Sequence, residues 1–158
     1  MKQSIITPQQ VVEIAFSDGG YLSPDVVAQV DIEAAAERWV KPVVGEALLE
    51  AVAAGRYEEL REEYLKPVLA LYTRLLVQPR LNVATSQLGL TVSAGATCKA
   101  AEASHRSELM QALKARARTA LRALSHYLDD HTELLAEYDP KRNVLNRCSC
   151  DGGFVQIF

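Results

Sequence analysis

The spacing of apolar residues in the second half of the chain constrains its fold more strongly than any other sequence feature. Leucine, methionine and alanine recur there at intervals of three and four residues, which places them on one face of an α-helix. This stripe consists of Leu109, Met110, Leu113, Ala117, Leu121, Leu124 and Leu128. A second stripe runs from Leu60 to Leu75. Together the stripes predict an all-α fold, a helical bundle of five to seven helices.

Helix start signals precede each of the first two helical segments. Thr7, Pro8 and Gln10 form a capping-box pattern with proline at the first helical position. Ser23 and Pro24 repeat the cap and the proline at the second start. These signals predict that two helices begin at Pro8 and Pro24.

Prolines and glycines are expected to divide the remaining helical sequence. Pro42 is predicted to end the second helix, and the sequence GEALLEAVAAG predicts a short third helix between two glycines. Pro67 lies inside a longer helical pattern, where it either kinks one helix or starts another. Pro79 is predicted to close that pattern. The chain shows no internal repeat, so residues 1–158 are interpreted as one helical domain.

Two stretches lack the helical pattern. Residues 81–97 are rich in valine, threonine, serine and glycine, and their alternating apolar residues predict a small β-like insert or loop. The tail at residues 140–158 is predicted to be irregular, with a short strand or an apolar docking segment in the sequence FVQIF.

Charge is distributed unevenly along a chain whose formal net charge is −3. Residues 98–126 contain six basic and two acidic side chains, and both flanking portions are net acidic. Four cations lie largely off the apolar stripe and define a predicted basic face: Lys114, Arg116, Arg118 and Arg122. This face is either neutralised within the bundle or docks on an acidic neighbour. The overall charge gives no strong bias toward nucleic acid.

The three cysteines and three histidines are the residues best suited to bind a metal. Cys148 and Cys150 form a Cys-x-Cys pair, which would need Cys98 or one of the histidines to complete a four-ligand zinc site. His126 and His131 are five residues apart, a spacing that does not place them on one helix face. Free thiols in a reducing compartment are therefore expected, with no metal site and no cofactor.

Motifs for catalysis and for membrane targeting are absent from the sequence. It contains neither the nucleophile-elbow pattern G-x-S-x-G nor the phosphate-loop pattern G-x-x-x-x-G-K-[ST]. Glu58, Glu59, Glu62 and Glu63 form an acidic helix face whose ordinary role is solvation. No stretch has the pattern of a signal peptide or the length of a membrane span. A cytoplasmic interaction or assembly protein, without catalytic residues, is expected.

Three segments carry a resemblance to a known class of proteins. They are ITPQQVVEIAF, LSPDVVAQVDIEAAAERWVKPVVGEALLEAV and YLKPVLALYTRLLVQPRL. The central pattern consists of Ile32, Ala35, Trp39, Val40, Pro42, Val44 and Gly45. In these parts the chain resembles the small helical head–tail connector (adaptor, or head-completion) proteins of tailed phages and prophages, most of all those of Bacteroidetes prophages.

The resemblance implies a structural virion-assembly protein that has no enzymatic activity and needs no cofactor. Such connectors form rings beneath the portal and extend the DNA channel. The implied partners are the portal and tail-side virion proteins, with DNA only as passing channel contents and no membrane. The implied locations are the virion and, during assembly, the host bacterial cytoplasm. A homo-oligomer is expected in the assembled particle, and a monomer or dimer in isolation is an alternative that stays open.

On this interpretation the insert is an assembly arm. The predicted subunit contacts are Val83, Leu88, Leu90 and Val92, because a strand in the insert can pair with a neighbouring subunit. The alternative for the insert is a plain crossover loop. The alternative for the whole chain is a small helical regulatory or nucleic-acid-binding protein that uses the basic face.

Overall fold

The computed structural model describes residues 4–17, 22–81, 84–86, 89–91, 102–151 and 154–157. Six α-helices lie in these ranges: α1 (Pro8–Ala15), α2 (Gln29–Ala35), α3 (Lys41–Val44), α4 (Glu46–Ala53), α5 (Lys66–Leu81) and α6 (Ala103–Asp130). Two antiparallel hairpins accompany them, β1 (Ala84–Ser86) with β2 (Gly89–Thr91) and β3 (Cys148–Asp151) with β4 (Phe154–Ile157). The predicted all-α bundle with a small β-like insert is confirmed.

Helix α5 lies at the centre of the bundle. It packs against α1, α2 and α6, and nine of its 16 residues are buried, so neighbours cover most of its circumference. Buried apolar residues from Ile6 to Tyr138 form one cluster around it. Within the described ranges, no helix combines the length and the apolar character needed to cross a membrane.

Helix α1 is fixed at both ends by side chains. The Thr7 hydroxyl accepts a hydrogen bond from the Gln10 N–H at 3.3 Å, and the Gln10 side chain accepts one from the Thr7 N–H at 3.1 Å, which confirms the predicted capping box. At the other end, the buried Arg74 guanidinium donates a hydrogen bond to the Ala15 carbonyl and lies 4.7 Å from the centre of the Phe16 ring. A cation is favourable there because the helix dipole leaves partial negative charge at that end.

The helix predicted to begin at Pro24 is only a short 3₁₀ helix, and the α-helix begins later. Ser23 caps a 3₁₀ helix of three residues, Pro24–Val26, and α2 itself begins at Gln29. Asp31 accounts for this second beginning, because its carboxylate accepts a hydrogen bond from the Ala28 N–H at 3.1 Å. The same carboxylate oxygen is 2.5 Å from an Arg80 nitrogen, which joins the start of α2 to the end of α5.

Pro42 does not end the second helix, contrary to the prediction. A π-helical turn, Ala36–Val40, leads from α2 directly into α3, and Pro42 lies within α3. The Lys41 N–H bonds to the Ala36 carbonyl, five residues earlier. Since proline cannot complete a normal helical turn, the wider turn lets the helix continue past it. The helix instead bends at Gly45, whose φ of 86° is accessible mainly to glycine.

Pro67 follows the same kind of turn. A π-helical segment, Leu60–Leu65, precedes it, and α5 starts immediately afterwards. Of the two alternatives for Pro67, a kink or a new helix, the structure shows a widened helical turn just before the proline, with α5 beginning beside it. Pro79 does not close α5, which continues to Leu81. The φ of proline fits a helix, and its cost there is the one hydrogen bond that its N–H would donate to the carbonyl four residues earlier, together with crowding of that carbonyl by the ring.

The two widened turns have related sequences. Residues 37–44 read ERWVKPVV and residues 62–69 read EEYLKPVL. In each segment the first glutamate forms an ion pair with the lysine four residues later, at 3.0 Å in the first and 2.6 Å in the second. In each, the aromatic residue stacks on a tyrosine from another helix. The same short sequence pattern therefore accompanies the same widened turn before both prolines.

Helix α6 confirms most of the predicted apolar stripe. Its buried apolar residues are Leu113, Ala117, Leu121, Leu124 and Leu128. Leu109, however, is 36% exposed, so its predicted place in the core is wrong. Leu109 lies in the first part of α6, where no residue before Leu113 is buried, so the bundle does not cover this end of the helix.

Polar side chains hold the tail on α6. Asn143 is 1% exposed and donates hydrogen bonds to the Ser125 and Tyr138 hydroxyls, both at 2.8 Å. Its carbonyl oxygen accepts one from the Leu145 N–H at 2.9 Å, and the Tyr138 hydroxyl donates to Asp129 at 2.7 Å. Burial, and next the bond to Asp129, raise the pKa of Tyr138. The tail predicted as irregular therefore contains an ordered polar contact, followed by the β3–β4 hairpin.

Candidate interaction surfaces

The predicted basic face lies on the solvent side of α6. Lys114, Arg116, Arg118 and Arg122 are all exposed. In the ranges that the structure describes, none of the four forms an ion pair with a carboxylate. The long helix therefore presents positive charge outward while its opposite side packs on the bundle.

Small side chains lie between these cations. Four exposed residues follow one another at intervals of three and four along α6, which aligns them on one side of the helix. They are Ala112, Ala115, Thr119 and Ala123. By their position in the helical repeat, Arg116 and Arg122 flank this line on its two sides. The exposed face of α6 is therefore flat in the middle and cationic at its edges.

The insert contains the hairpin β1–β2. In its register, Leu90 is paired with Thr85. Within the described residues this sheet has two strands, so the outer edge of each carries backbone groups without a partner strand in the sheet. The other predicted contacts, Val83, Leu88 and Val92, lie outside the described residues.

An open pocket that the sequence analysis did not anticipate lies between α2, α4 and the segment before α1. Its volume is about 740 Å³. Its apolar lining includes Ile5, Ile32, Ala36, Leu49 and Leu69. Four carboxylates, Glu33, Glu37, Glu46 and Glu50, line it as well. We refer to this pocket, with its apolar lining and its four glutamates, as the acidic groove.

The acidic groove carries an uneven charge. Lys41 lies in it and pairs with Glu37 at 3.0 Å and with Glu46 at 3.3 Å. Hydrogen bonds to Glu37 and then to Glu46 raise the pKa of Lys41, so the lysine remains charged. Glu33 and Glu50 form no ion pair within the described residues. One cation thus faces four carboxylates, and the groove is negative overall.

The sequence does contain a signal for this groove. Glu33 and Glu37 are four residues apart, as are Glu46 and Glu50. This spacing puts each pair on one face of its helix. The bend at Gly45 lies between the two pairs, and in the structure both pairs line one pocket.

Within the described residues, the histidines considered for metal binding do not come together. His105 and His126 are exposed, and the His131 ring stacks on Tyr127 with ring centres 4.2 Å apart. Cys148 and Cys150 lie in β3, and Cys98 lies outside the described residues. In the part of the chain that the structure describes, no three metal-binding side chains come together.

The acidic helix face is largely exposed to solvent, as predicted. Glu58, Glu59 and Glu63 are exposed. Glu62 forms ion pairs with Lys66 at 2.6 Å and Arg61 at 2.9 Å. Hydrogen bonds from Lys66 and then from Arg61 lower the pKa of Glu62.

Comparison with known proteins places most of this architecture in one family. Residues 35–146 match a family of unknown function, DUF6712. The matched region contains both widened turns, the whole of α5 and α6, and the ordered start of the tail. Comparison with curated proteins and with solved structures finds no match. Since the family match covers well over half of the chain, the protein belongs to the family of unknown function DUF6712.

Proposed function

We propose that the protein is a structural subunit of a phage or prophage head–tail connector, one that docks on the portal and forms a ring. The observation that carries the proposal is the division of α6, a 28-residue helix, into a buried apolar side and an exposed cationic side. A long helix anchored in this way gives the basic face a fixed orientation toward an acidic subunit surface or toward DNA in a channel. The sequence resemblance to connector proteins provides the class.

The insert supports the same proposal. The β1–β2 hairpin has two short strands, and a two-stranded hairpin is marginally stable by itself. Pairing with a strand of a neighbouring subunit would stabilise it through backbone hydrogen bonds. We therefore assign the insert, with Val83, Leu88, Leu90 and Val92, to contact between subunits.

The second candidate is a regulatory or nucleic-acid-binding protein. The exposed basic face favours it, because its four cations, which form no ion pair within the described ranges, can bind phosphates. The two functions differ in their dependence on salt. A nucleic-acid-binding protein would be retained on DNA at low salt and released steeply as the salt concentration rises.

Measuring the molecular mass of the protein in solution would test the proposed function. Light scattering across a concentration series would compare the wild-type chain with a variant lacking residues 82–96. We expect a large oligomer from the wild type and a monomer from the deletion variant. A wild-type chain that stays monomeric throughout contradicts ring formation, and a stable dimer from both chains favours the regulatory alternative.

Point substitutions refine the role of the insert. Leu88→Asp combined with Leu90→Asp should block assembly while leaving the helical circular dichroism signal unchanged. Ser93→Asp combined with Thr97→Asp is the matched control, since it adds the same charge to polar positions of the same insert. Assembly of both variants at the wild-type level would rule out the arm.

A further inference from the structure

We propose that the acidic groove of one subunit binds the exposed face of α6 from a second copy of the chain. This inference rests on the proposed function, because repetition of such a contact from subunit to subunit is what builds a ring. It identifies the two surfaces that meet, neither of which belongs to the insert.

Shape is the first argument. A helix can lie in a groove when its contacting side chains are small and the groove is apolar. At the rise of an α-helix, the line from Ala112 to Ala123 extends about 17 Å, and one wall of the groove runs from Gln29 through the π-helical turn to Lys41. In the proposed contact, the small residues on α6 would lie against apolar residues such as Ile32 and Leu49 in the groove.

Charge is the second argument. The groove has four carboxylates and one lysine, and the line of small residues on α6 is flanked by Arg116 and Arg122. Glu33 and Glu50 form no ion pair within the described part of one chain, and neither do Arg116 and Arg122. Bringing the two surfaces together would give each set of charges a partner. Complementary charge of this kind fixes the register of a contact and suppresses wrong partners.

The positions of the two surfaces are the third argument. No residue of α6 lines the groove, which is built from α2, α3, α4, the first π-helical turn, Leu69 and the segment before α1. A contact between two different surfaces of the same chain leaves one groove and one helix free at the ends of a dimer. Such a head-to-tail contact propagates, and it closes into a ring when the rotation between subunits allows.

Charge reversal tests the contact on the full-length chain. The groove variant carries Glu33→Lys and Glu50→Lys, and the helix variant carries Arg116→Glu and Arg122→Glu. Sedimentation velocity across a concentration series would measure self-association of each variant, of the wild type and of an equimolar mixture of the two variants. Circular dichroism would verify that both variants are folded.

We expect each variant alone to associate at least about tenfold more weakly than the wild type, because like charges then meet across the interface. The mixture should recover association. In it, the acidic helix of one variant meets the basic groove of the other, and the unchanged helix meets the unchanged groove. The matched control, Glu58→Lys with Glu133→Lys, makes the same change in net charge as the groove variant at exposed positions outside both surfaces, and it should associate like the wild type.

Each other outcome overturns the proposal in a recognisable way. If the wild type forms oligomers and the groove variant does so equally well, the groove contact is wrong while the connector function stands. A mixture that associates no better than the separate variants also refutes the pairing, as does a control that loses association. If the wild type is monomeric at every concentration, both the contact and the ring of the proposed function are contradicted.

Discussion

The buried amide of Asn143 should be one of the most sensitive single positions for stability. Asn143→Ala removes two donated hydrogen bonds at 2.8 Å and one accepted at 2.9 Å, all at a side chain that is 1% exposed. A typical hydrogen bond contributes about 1 kcal/mol, and groups left buried without a partner add to the loss, so the free energy of unfolding should fall by about 3 kcal/mol. For a chain of this length, that corresponds to a decrease in Tm of about 6–12 °C.

Urea denaturation followed by circular dichroism would measure this change, with the slope of the transition as a check on two-state unfolding. Asn146→Ala is the matched control. The Asn146 amide donates hydrogen bonds to Asp129 at 2.8 and 3.0 Å, but this side chain is exposed. Removing it should therefore lower the free energy of unfolding by less than about 1 kcal/mol. Tyr138→Phe completes a double-mutant cycle with Asn143→Ala. Equal effects at the two asparagines would refute the argument from burial.

Two further predictions concern local electrostatics and backbone strain. The hydrogen bond from Tyr57 and, less strongly, the contact with Arg56 lower the pKa of Glu137 below its ordinary value of 4.5. Their stabilising effect is therefore present above pH 4.5 and is lost as the pH falls through the lowered pKa. Tyr57→Phe should reduce the loss of stability on acidification, measured by urea denaturation at about pH 6 and about pH 3; equal acid sensitivity in both chains would contradict it. Gly45→Ala should cost about 1–3 kcal/mol from backbone strain alone, because φ is 86° and nothing lies within 4 Å of an added Cβ atom. Thermal unfolding would check this against Glu46→Ala, and an unchanged Tm would exclude strain at this bend.

The features predictable from the sequence are those set by neighbouring residues. The capping box at Thr7 and Gln10 depends on two residues three positions apart, and the structure forms it as predicted. The buried stripe of α6 from Leu113 to Leu128 follows from helical periodicity. The same periodicity fails at Leu109, because no pattern within a helix shows where its neighbours stop covering it.

The missed features depend on wider context. The sequence predicts helix ends at Pro42 and Pro79, but the structure continues the helix past both, in the first case after a π-helical turn. The acidic groove needs Ile5, the glutamates of α2 and α4, and Leu69 to come together. These residues are up to 64 positions apart, and only the packing of the bundle makes them neighbours.

The central position of α5 has a mechanical consequence. Leu69 on one side of this helix forms part of the floor of the acidic groove, and α6 packs along another side. Because close-packed interiors transmit strain, we expect a displacement at the groove to reach α6 through α5. The density of buried contacts around α5 leaves little compliance to absorb such a displacement. Binding at the acidic groove would then shift the basic face of α6 through α5 as a unit.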